Sequence, residues 1–404
     1  MRHVHILDPQ LLDQGGHYLN YCTLAVRELQ RREIPVSIHA RRGCQVTCEG
    51  LVPGAVFSHD IFKEIGRDPQ VWALENFHAV NQAFAADLAR VDTSLMSADD
   101  LLFFPSLNQN QLYGLALWLA RIPAARRPAV AVLLRYLTHE MDYVKGRANH
   151  GMLAHLFRYA AQALLATQAR TVFCADTREM CEAFHGVLGC PVIEVPVAMD
   201  PPARVAPVAR ESGRPNVVYL GHMSQLKGFH LVPDIILRCL STQPRPRFTV
   251  QIQNRTQRGF ESHVQWFDRQ PSSEVHLVAG ALSPEEYYRL MIDADIVLLP
   301  YRPTYYGHCS SGVFAEAAAL GKVIVVPEGT VAARQAREGD LGVVVASAWT
   351  APALAEAVSR AVMELPQLQE KARLAADRFR REQSASTFWS RILAALPGVT
   401  QAAA

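Results

Sequence analysis

Charge of one sign is what this sequence lacks most plainly. Its 404 residues carry 40 Lys and Arg against 38 Asp and Glu, a formal net charge of +2. No run of like charge breaks that balance, which excludes a nucleic-acid-binding patch and points to no polyanion partner. Long apolar runs are missing as well. No stretch of roughly 18 apolar residues is there to span a bilayer. The N-terminus, MRHVHILDPQ, lacks the apolar core of a signal peptide. The expected compartment is the cytosol, with attachment to the inner face of a membrane left open. Eight cysteines are scattered along the chain, and the closest pair, Cys44 and Cys48, has no matching Cys or His pair at zinc spacing. Free, mostly buried thiols and no structural metal are expected. GxGxxG is absent, which weighs against a dinucleotide-binding dehydrogenase. No D-x-D pair follows a strand. Asp293-Ala294-Asp295 has the spacing but precedes an expected strand at 296–299, where a helix-end turn is the natural role.

What is present is globular: 50% of residues are hydrophobic and 19% charged. The length exceeds one ordinary core, so two domains are expected. Residues 3–7 read as a strand, 18–32 as an amphipathic helix and 36–40 as the next strand. Further strands are expected at 101–104, 129–134 and 171–174, with helices between them, for example at 153–166. The texture changes at PPARVAPVARESGRP, from Pro201, which reads as a linker. Alternation then restarts with strands at 216–220, 248–252, 275–278, 296–300 and 322–327. Helices are expected at 231–240, 261–267, 284–291, 313–320 and 351–380. Strands alternating with helices imply parallel sheets covered on both faces. The fold class is α/β, with two doubly wound domains facing a central cleft. Ligands of such sheets bind where strands end and helices begin.

Three such places carry small or polar residues. Gly15-Gly16-His17 follows the first strand; it is either a tight β-α turn or a loop through which backbone N–H groups approach an anion. The second is Gly221-His222-Met223-Ser224-Gln225-Leu226-Lys227-Gly228, directly after a strand. A lysine at the opening of a helix opposes the helix dipole, so the placement asks for an anion such as phosphate; the plain alternative is a solvated lysine. The third is His308-Cys309-Ser310-Ser311-Gly312, before the apolar run that starts at Val313. Ser310, Ser311 and Gly312 form a donor-rich helix start, a ready anion site. Glu316 lies one turn further in, on a helix that reads as buried all round. A buried glutamate is rare unless paired, and this one is placed to accept from sugar hydroxyls. The alternative is an ordinary N-cap with a surface glutamate. Together the second and third elements describe a nucleoside-diphosphate site.

At these residues the chain resembles the retaining GT-B glycosyltransferases of family 4. Their second domain carries G-R-x-x-x-x-K-G after a strand, and later P-S-x-x-E-x-F-G-x-x-x-x-E-A-x-A-x-G-x-P-V. Here the first part is Gly221-His222…Lys227-Gly228. The second is Leu299-Pro300-Tyr301, then His308…Glu316-Ala317…Ala319-Leu320-Gly321-Lys322-Val323. Gly15-Gly16 matches the family's first glycine loop. The resemblance implies an acceptor-side Rossmann-like domain over 1–205 and a nucleotide-sugar donor domain over 214–380. It also implies a C-terminal segment, 381–404, that crosses back to the first domain. It implies that Lys227 contacts the donor pyrophosphate, that Glu316 holds the ribose hydroxyls, and that Ser310-Ser311-Gly312 meets phosphate or donor sugar. His139, in Arg135-Tyr136-Leu137-Thr138-His139-Glu140, is the candidate for the family's histidine facing the donor sugar, with His17 second. Asn108 is assigned to the acceptor side. Two residues depart from the pattern: His222 replaces the family's arginine and His308 its first glutamate. Histidine donates a hydrogen bond at either place but carries less reliable positive charge; Arg302 and Arg255 are candidates for the missing charge.

The expected function is transfer of a sugar from a nucleoside-diphosphate sugar to an acceptor hydroxyl, with retention. Neither a metal nor a cofactor is expected beyond that co-substrate, because Lys227, His222 and the helix N-termini would neutralise the departing diphosphate. The acceptor is a glycan, a lipid-linked species or a small molecule, and polysaccharide assembly is the family-level setting. Two alternatives stay open: a GT-B-type nucleotide-sugar epimerase, and a catalytically weak nucleotide-sugar-binding protein. Residues 49–82 are expected to be an acceptor-recognising loop region.

Overall fold

Two parallel sheets organise the chain in the computed structural model, which describes residues 1–13, 18–66, 71–94, 96–137, 150–201 and 213–396. Contacts divide it into one unit of Met1–Ala198 with Ala385–Ala404, and a second of Met199–Ser384. Among the described residues every pairing between named strands is parallel.

The first unit alternates β1 (Val4–Asp8), α1 (Tyr18–Arg31), β2 (Val36–Arg41), β3 (Gly54–Phe57), α2 (Trp72–Leu88), β4 (Leu101–Phe104), α3 (Gln109–Leu119), β5 (Ala129–Leu133), α4 (His150–Ala166), β6 (Thr171–Ala175), α5 (Arg178–Leu188) and β7 (Val192–Glu194). Its sheet runs β3-β2-β1-β4-β5-β6-β7. The direction of winding reverses between β1 and β4, the mark of a doubly wound sheet. Strands β4 and β5 are buried along their whole length, which is why they read as unbroken apolar runs rather than alternating ones.

The second unit contains β8 (Asn216–Tyr219), α6 (Val232–Leu240), β9 (Arg247–Ile252), α7 (Glu261–Asp268), β10 (Val275–Ala279), α8 (Pro284–Asp293), β11 (Ile296–Leu298), α9 (Pro303–Tyr306), α10 (Gly312–Ala319), β12 (Val323–Pro327), α11 (Val331–Gly339), β13 (Val343–Ala346), α12 (Ala351–Met363) and α13 (Leu365–Glu382). The strand order is β10-β9-β8-β11-β12-β13, with the reversal between β8 and β11. The amino end of β8 is tied down by Asp295, whose Oδ2 accepts from Asn216 N at 2.8 Å. Asp293 ends α8 and Ala294 caps it, so Asp293-Ala294-Asp295 is a helix-end turn.

The last helix, α14 (Ala385–Ala395), belongs to the first unit. Phe388, Trp389 and Ile392 are fully buried there. The Trp389 ring meets Phe103 edge-on at 4.9 Å, and Phe388 meets Tyr21 at 5.6 Å. Arg32 on the α1 side closes the contact, donating to Ser386 O at 2.7 Å and Ser390 Oγ at 2.9 Å.

Two expectations are corrected. Residues 49–82 are not one loop region: they contain β3 and the first two-thirds of α2. The helix is hard to see in sequence because its buried face is polar as well as apolar. Asn76 Oδ1 accepts from Ile65 N and Gly66 N, Asn81 Nδ2 donates to Gln109 O, and Asp87 accepts from Arg42 and Ser58. The expected helix over 351–380 is two helices, broken at Glu364. Pro366 lies in the first turn of α13, where its missing N–H costs nothing, but it could not continue α12. Asn108 is a helix cap and nearly fully buried. Its side chain accepts from Asn110 N in a capping box with Gln111, and its Nδ2 donates to Ile61 O at 2.8 Å. That side chain is therefore turned into the fold.

Among the described residues no helix is long and apolar enough to cross a membrane.

Candidate functional site

The carboxyl ends of β8 and β11, either side of the reversal in the second sheet, bring two of the three sequence motifs together. The loop after β8 is built on backbone constraints. Gly221, at φ +105°, leaves the strand in a conformation that side chains disfavour, and its N–H donates to Gln251 Oε1 at 2.9 Å. Gln251 in turn donates to Gly280 O at 3.2 Å, so the loop is tied to the ends of β9 and β10. Ser224 Oγ accepts from Lys227 N at 3.1 Å and turns the chain back. Gly228 follows at φ +67°, where an added Cβ would lie 1.9 Å from Pro300 O. No other residue fits there. Pro300 O is itself held by the Trp349 indole at 2.8 Å.

These constraints fix where Lys227 points. Its Nζ lies 5.8 Å from the centre of the Tyr301 ring, and 3.1 Å from where a Cβ on Gly221 would sit. The lysine is half-buried and its charge acts on Glu316. Tyr301, three residues past the end of β11, is also reached by Ser311, whose Oγ lies 3.5 Å from the phenol oxygen. Ser311 is the N-cap of α10 and accepts from Phe314 N at 3.2 Å. Gly312 is exposed, and a Cβ there would meet nothing within 4 Å. Its value is therefore in what it leaves uncovered: the first-turn N–H groups and the positive end of the helix.

Glu316 sits one turn inside, half-buried, and it is not waiting alone for a ligand. Tyr287 donates to its Oε2 at 2.6 Å and Tyr288 to its Oε1 at 3.1 Å. Both tyrosines come from α8, which is held at its start by a capping box between Ser283 and Glu286. Burial pushes the Glu316 carboxyl above its usual range, and the two phenols and Lys227 pull the other way. Burial, and then the neighbouring carboxylate, push both phenols well above the ordinary tyrosine range, so they remain donors.

His222 is exposed on the loop, with Nδ1 3.0 Å from Gln253 Oε1. His308 is half-buried before the helix start. The two residues after it, Cys309 and Ser310, line a recess with Tyr301, Tyr306, Thr330 and Gln335. Of the arginines considered for the missing charge, Arg302 stands 5.6 Å from the Trp349 ring, and Arg255 pairs with Asp268 at the surface. Gly15, Gly16, His17 and His139 lie outside the described residues. Lys227 and Ser311 thus meet at Tyr301, and Glu316 lies within reach of the Lys227 charge. Tyr287 and Tyr288 join them without having been expected. The one hint in the sequence was the rarity of an unpaired buried carboxylate, which says that a partner exists but not where.

No protein-family model and no curated protein sequence matches the chain. Solved structures do. Trehalose 6-phosphate synthase from Burkholderia multivorans superposes with a TM-score of 0.67 at 14% identity, covering 98% of each chain. Sucrose-phosphate synthase from Thermosynechococcus elongatus gives 0.62 at 14% identity over 97% of each. HepE from Anabaena, solved in complex with UDP, gives 0.59 at 13% identity over 99% of this chain and 100% of its own. At such identities the likeness is one of fold. Among the described residues, two doubly wound parallel sheets of seven and six strands make that fold GT-B, the architecture of two Rossmann-like domains.

Proposed function

We propose that this protein is a glycosyltransferase that moves a sugar from a nucleoside-diphosphate sugar to an acceptor hydroxyl, retaining the anomeric configuration and using no metal. The observation that carries the reading is the convergence of Lys227, the capped start of α10 and Glu316 at the winding reversal of the second sheet. A cation and a helix N-terminus beside one another suit a diphosphate. A half-buried carboxylate one turn away suits a diol. In this reading Lys227 neutralises the departing diphosphate, the backbone at Ser310-Ser311-Gly312 meets phosphate or sugar, and Glu316 accepts from the ribose. His222 and His308 flank the same end of the sheet. The family resemblance assigns Gly15, Gly16, His17 and His139 to the donor as well, with His139 for the transferred sugar; all four lie outside the described residues. The acceptor is a glycan, a lipid-linked species or a small molecule. The protein works in the cytoplasm or at the inner face of a membrane. Support comes from the fold shared with trehalose 6-phosphate synthase, sucrose-phosphate synthase and HepE, the last in complex with UDP.

The test is a thermal-shift screen of the wild-type protein with UDP, GDP, ADP and their sugars, beside Glu316→Ala and Lys227→Ala. A ligand that binds only the folded state raises the melting temperature with ln(1 + [L]/Kd). One nucleotide family is expected to shift the wild type and to lose most of its effect in both variants. Turnover of that donor is expected to vanish in Lys227→Ala. Intact turnover in that variant, or no shift with any nucleotide, overturns the reading.

A further inference from the structure

Glu316 is reached from a second helix by two side chains that no sequence motif contains. We infer that Tyr287 and Tyr288 are positioning residues for nucleotide binding, holding the Glu316 carboxylate by one oxygen each so that the opposite edge accepts a vicinal diol. The inference rests on the donor-site reading above and says how that site achieves its selectivity for a ribonucleoside.

An ionised carboxylate offers about four acceptor positions, two per oxygen. Tyr287 takes one at Oε2 and Tyr288 one at Oε1, at 2.6 and 3.1 Å. One position per oxygen is left, and the two are spaced for the adjacent hydroxyls of a ribose. A single phenol would leave the carboxylate free to rotate about its terminal torsion, which is intrinsically soft. Two donors from consecutive residues of one helix define its plane. The phenol rings support each other edge-on at 5.4 Å.

The same contacts keep the group in its accepting form. The titratable or charged groups acting on Glu316 are Tyr287 and Tyr288 from α8 and Lys227 from the loop after β8. Of the elements packed on α10, α13 directs Arg380 to Ala319 O at 2.8 Å, and β12 carries no titratable side chain. Asp200 acts on Tyr288. Burial favours the neutral acid, and the phenols and the lysine oppose it. A protonated Glu316 has lost one acceptor position to its own proton and cannot take both hydroxyls. Removing one phenol lets burial prevail, so the carboxyl titrates at higher pH and binding fails at higher pH than in the wild type.

The experiment is calorimetric titration of UDP, GDP and ADP into the wild type, Tyr287→Phe and Tyr288→Phe between pH 5.5 and 8.5. Phenylalanine keeps the ring and removes only the donor. Whichever nucleotide binds the wild type is expected to bind Tyr287→Phe about tenfold more weakly at pH 6, with the gap narrowing towards pH 8.5. Tyr288→Phe, which loses the longer bond, is expected to follow with a smaller change. Its 2′-deoxy counterpart is expected to bind the wild type weakly and to lose less on substitution. If the wild type binds a nucleotide and both variants match its affinity at every pH, the inference is wrong while the donor-site reading stands. A loss of equal size at every pH marks a structural role and also overturns it. Wild-type protein that binds no nucleotide removes the donor-site reading and the inference with it.

Discussion

His3, His5 and His39 show how much a few side chains can decide. Their rings stack along one face of the first sheet, 4.3 Å and 5.8 Å apart, and Ser37 Oγ bridges His5 Nδ1 at 2.8 Å. Burial, reinforced by the neighbouring histidines, holds His5 down to about 4, against the pull of Asp100. Burial and His3 hold His39 down to about 4 as well. An unfolded histidine titrates near 6.5. Above that pH both states are neutral and nothing is lost. Between about 6.5 and 4 the unfolded chain takes up protons that the folded chain refuses, so stability falls as the pH drops. The melting temperature is expected to decline across that window, and to decline less steeply in His5→Asn. Parallel curves for the two proteins would show that the stack does not govern acid sensitivity. None of this was visible in the sequence, where the three histidines are merely alternate residues of two strands 32 positions apart. The partners of Glu316 were hidden for the same reason. Tyr287 lies 29 residues before it, and no local pattern records which helix packs against which.

Elements were legible in proportion to how purely they followed one rule. β12, with Val323, Ile324, Val325 and Val326 all buried, announces itself as a strand covered on both sides. α10 announces itself by Ser311 and a run of alanines. α2 does not, because Asn76, Asn81 and Asp87 occupy its buried face and serve the loops and the helix α3 beside it. The loop after β8 was readable from its two glycines, and Gly228 is the sharper of them. Gly228→Ala adds a Cβ in a left-handed conformation and drives it onto Pro300 O, whose own position is set by Trp349. That collision forces the backbone to move, so a loss of at least 2–3 kcal/mol is expected from urea unfolding. Nucleotide binding is expected to weaken alongside, because Lys227 is the preceding residue. An unchanged unfolding midpoint would mean that the loop is free to shift away from Pro300.

At the scale of the whole molecule, the two doubly wound sheets were legible because strands and helices alternate, and because PPARVAPVARESGRP interrupts the pattern once. Subtler is the place where the first unit ends. Its core includes Phe388, Trp389 and Ile392, which the chain reaches only after leaving the second unit at Ser384. Trp389→Ala empties the space beside Phe103 and is expected to cost about 3–5 kcal/mol. The loss should appear in the transition reported by the first unit, with nucleotide binding to the second unit retained. Simultaneous collapse of both units at the original midpoint would contradict that assignment.

The position of α14 also bears on how the protein is made. A nascent chain whose first 198 residues have left the ribosome holds every strand of the first sheet, yet lacks the helix that fills its core. Domains generally fold as units while synthesis proceeds from the N-terminus. Here the second unit, synthesised later, has all its own strands and helices first. The earlier unit must wait with an open apolar face until residue 392 has emerged, so a chain that has emerged past Ser384 but not through Ile392 has one finished half and one sticky one.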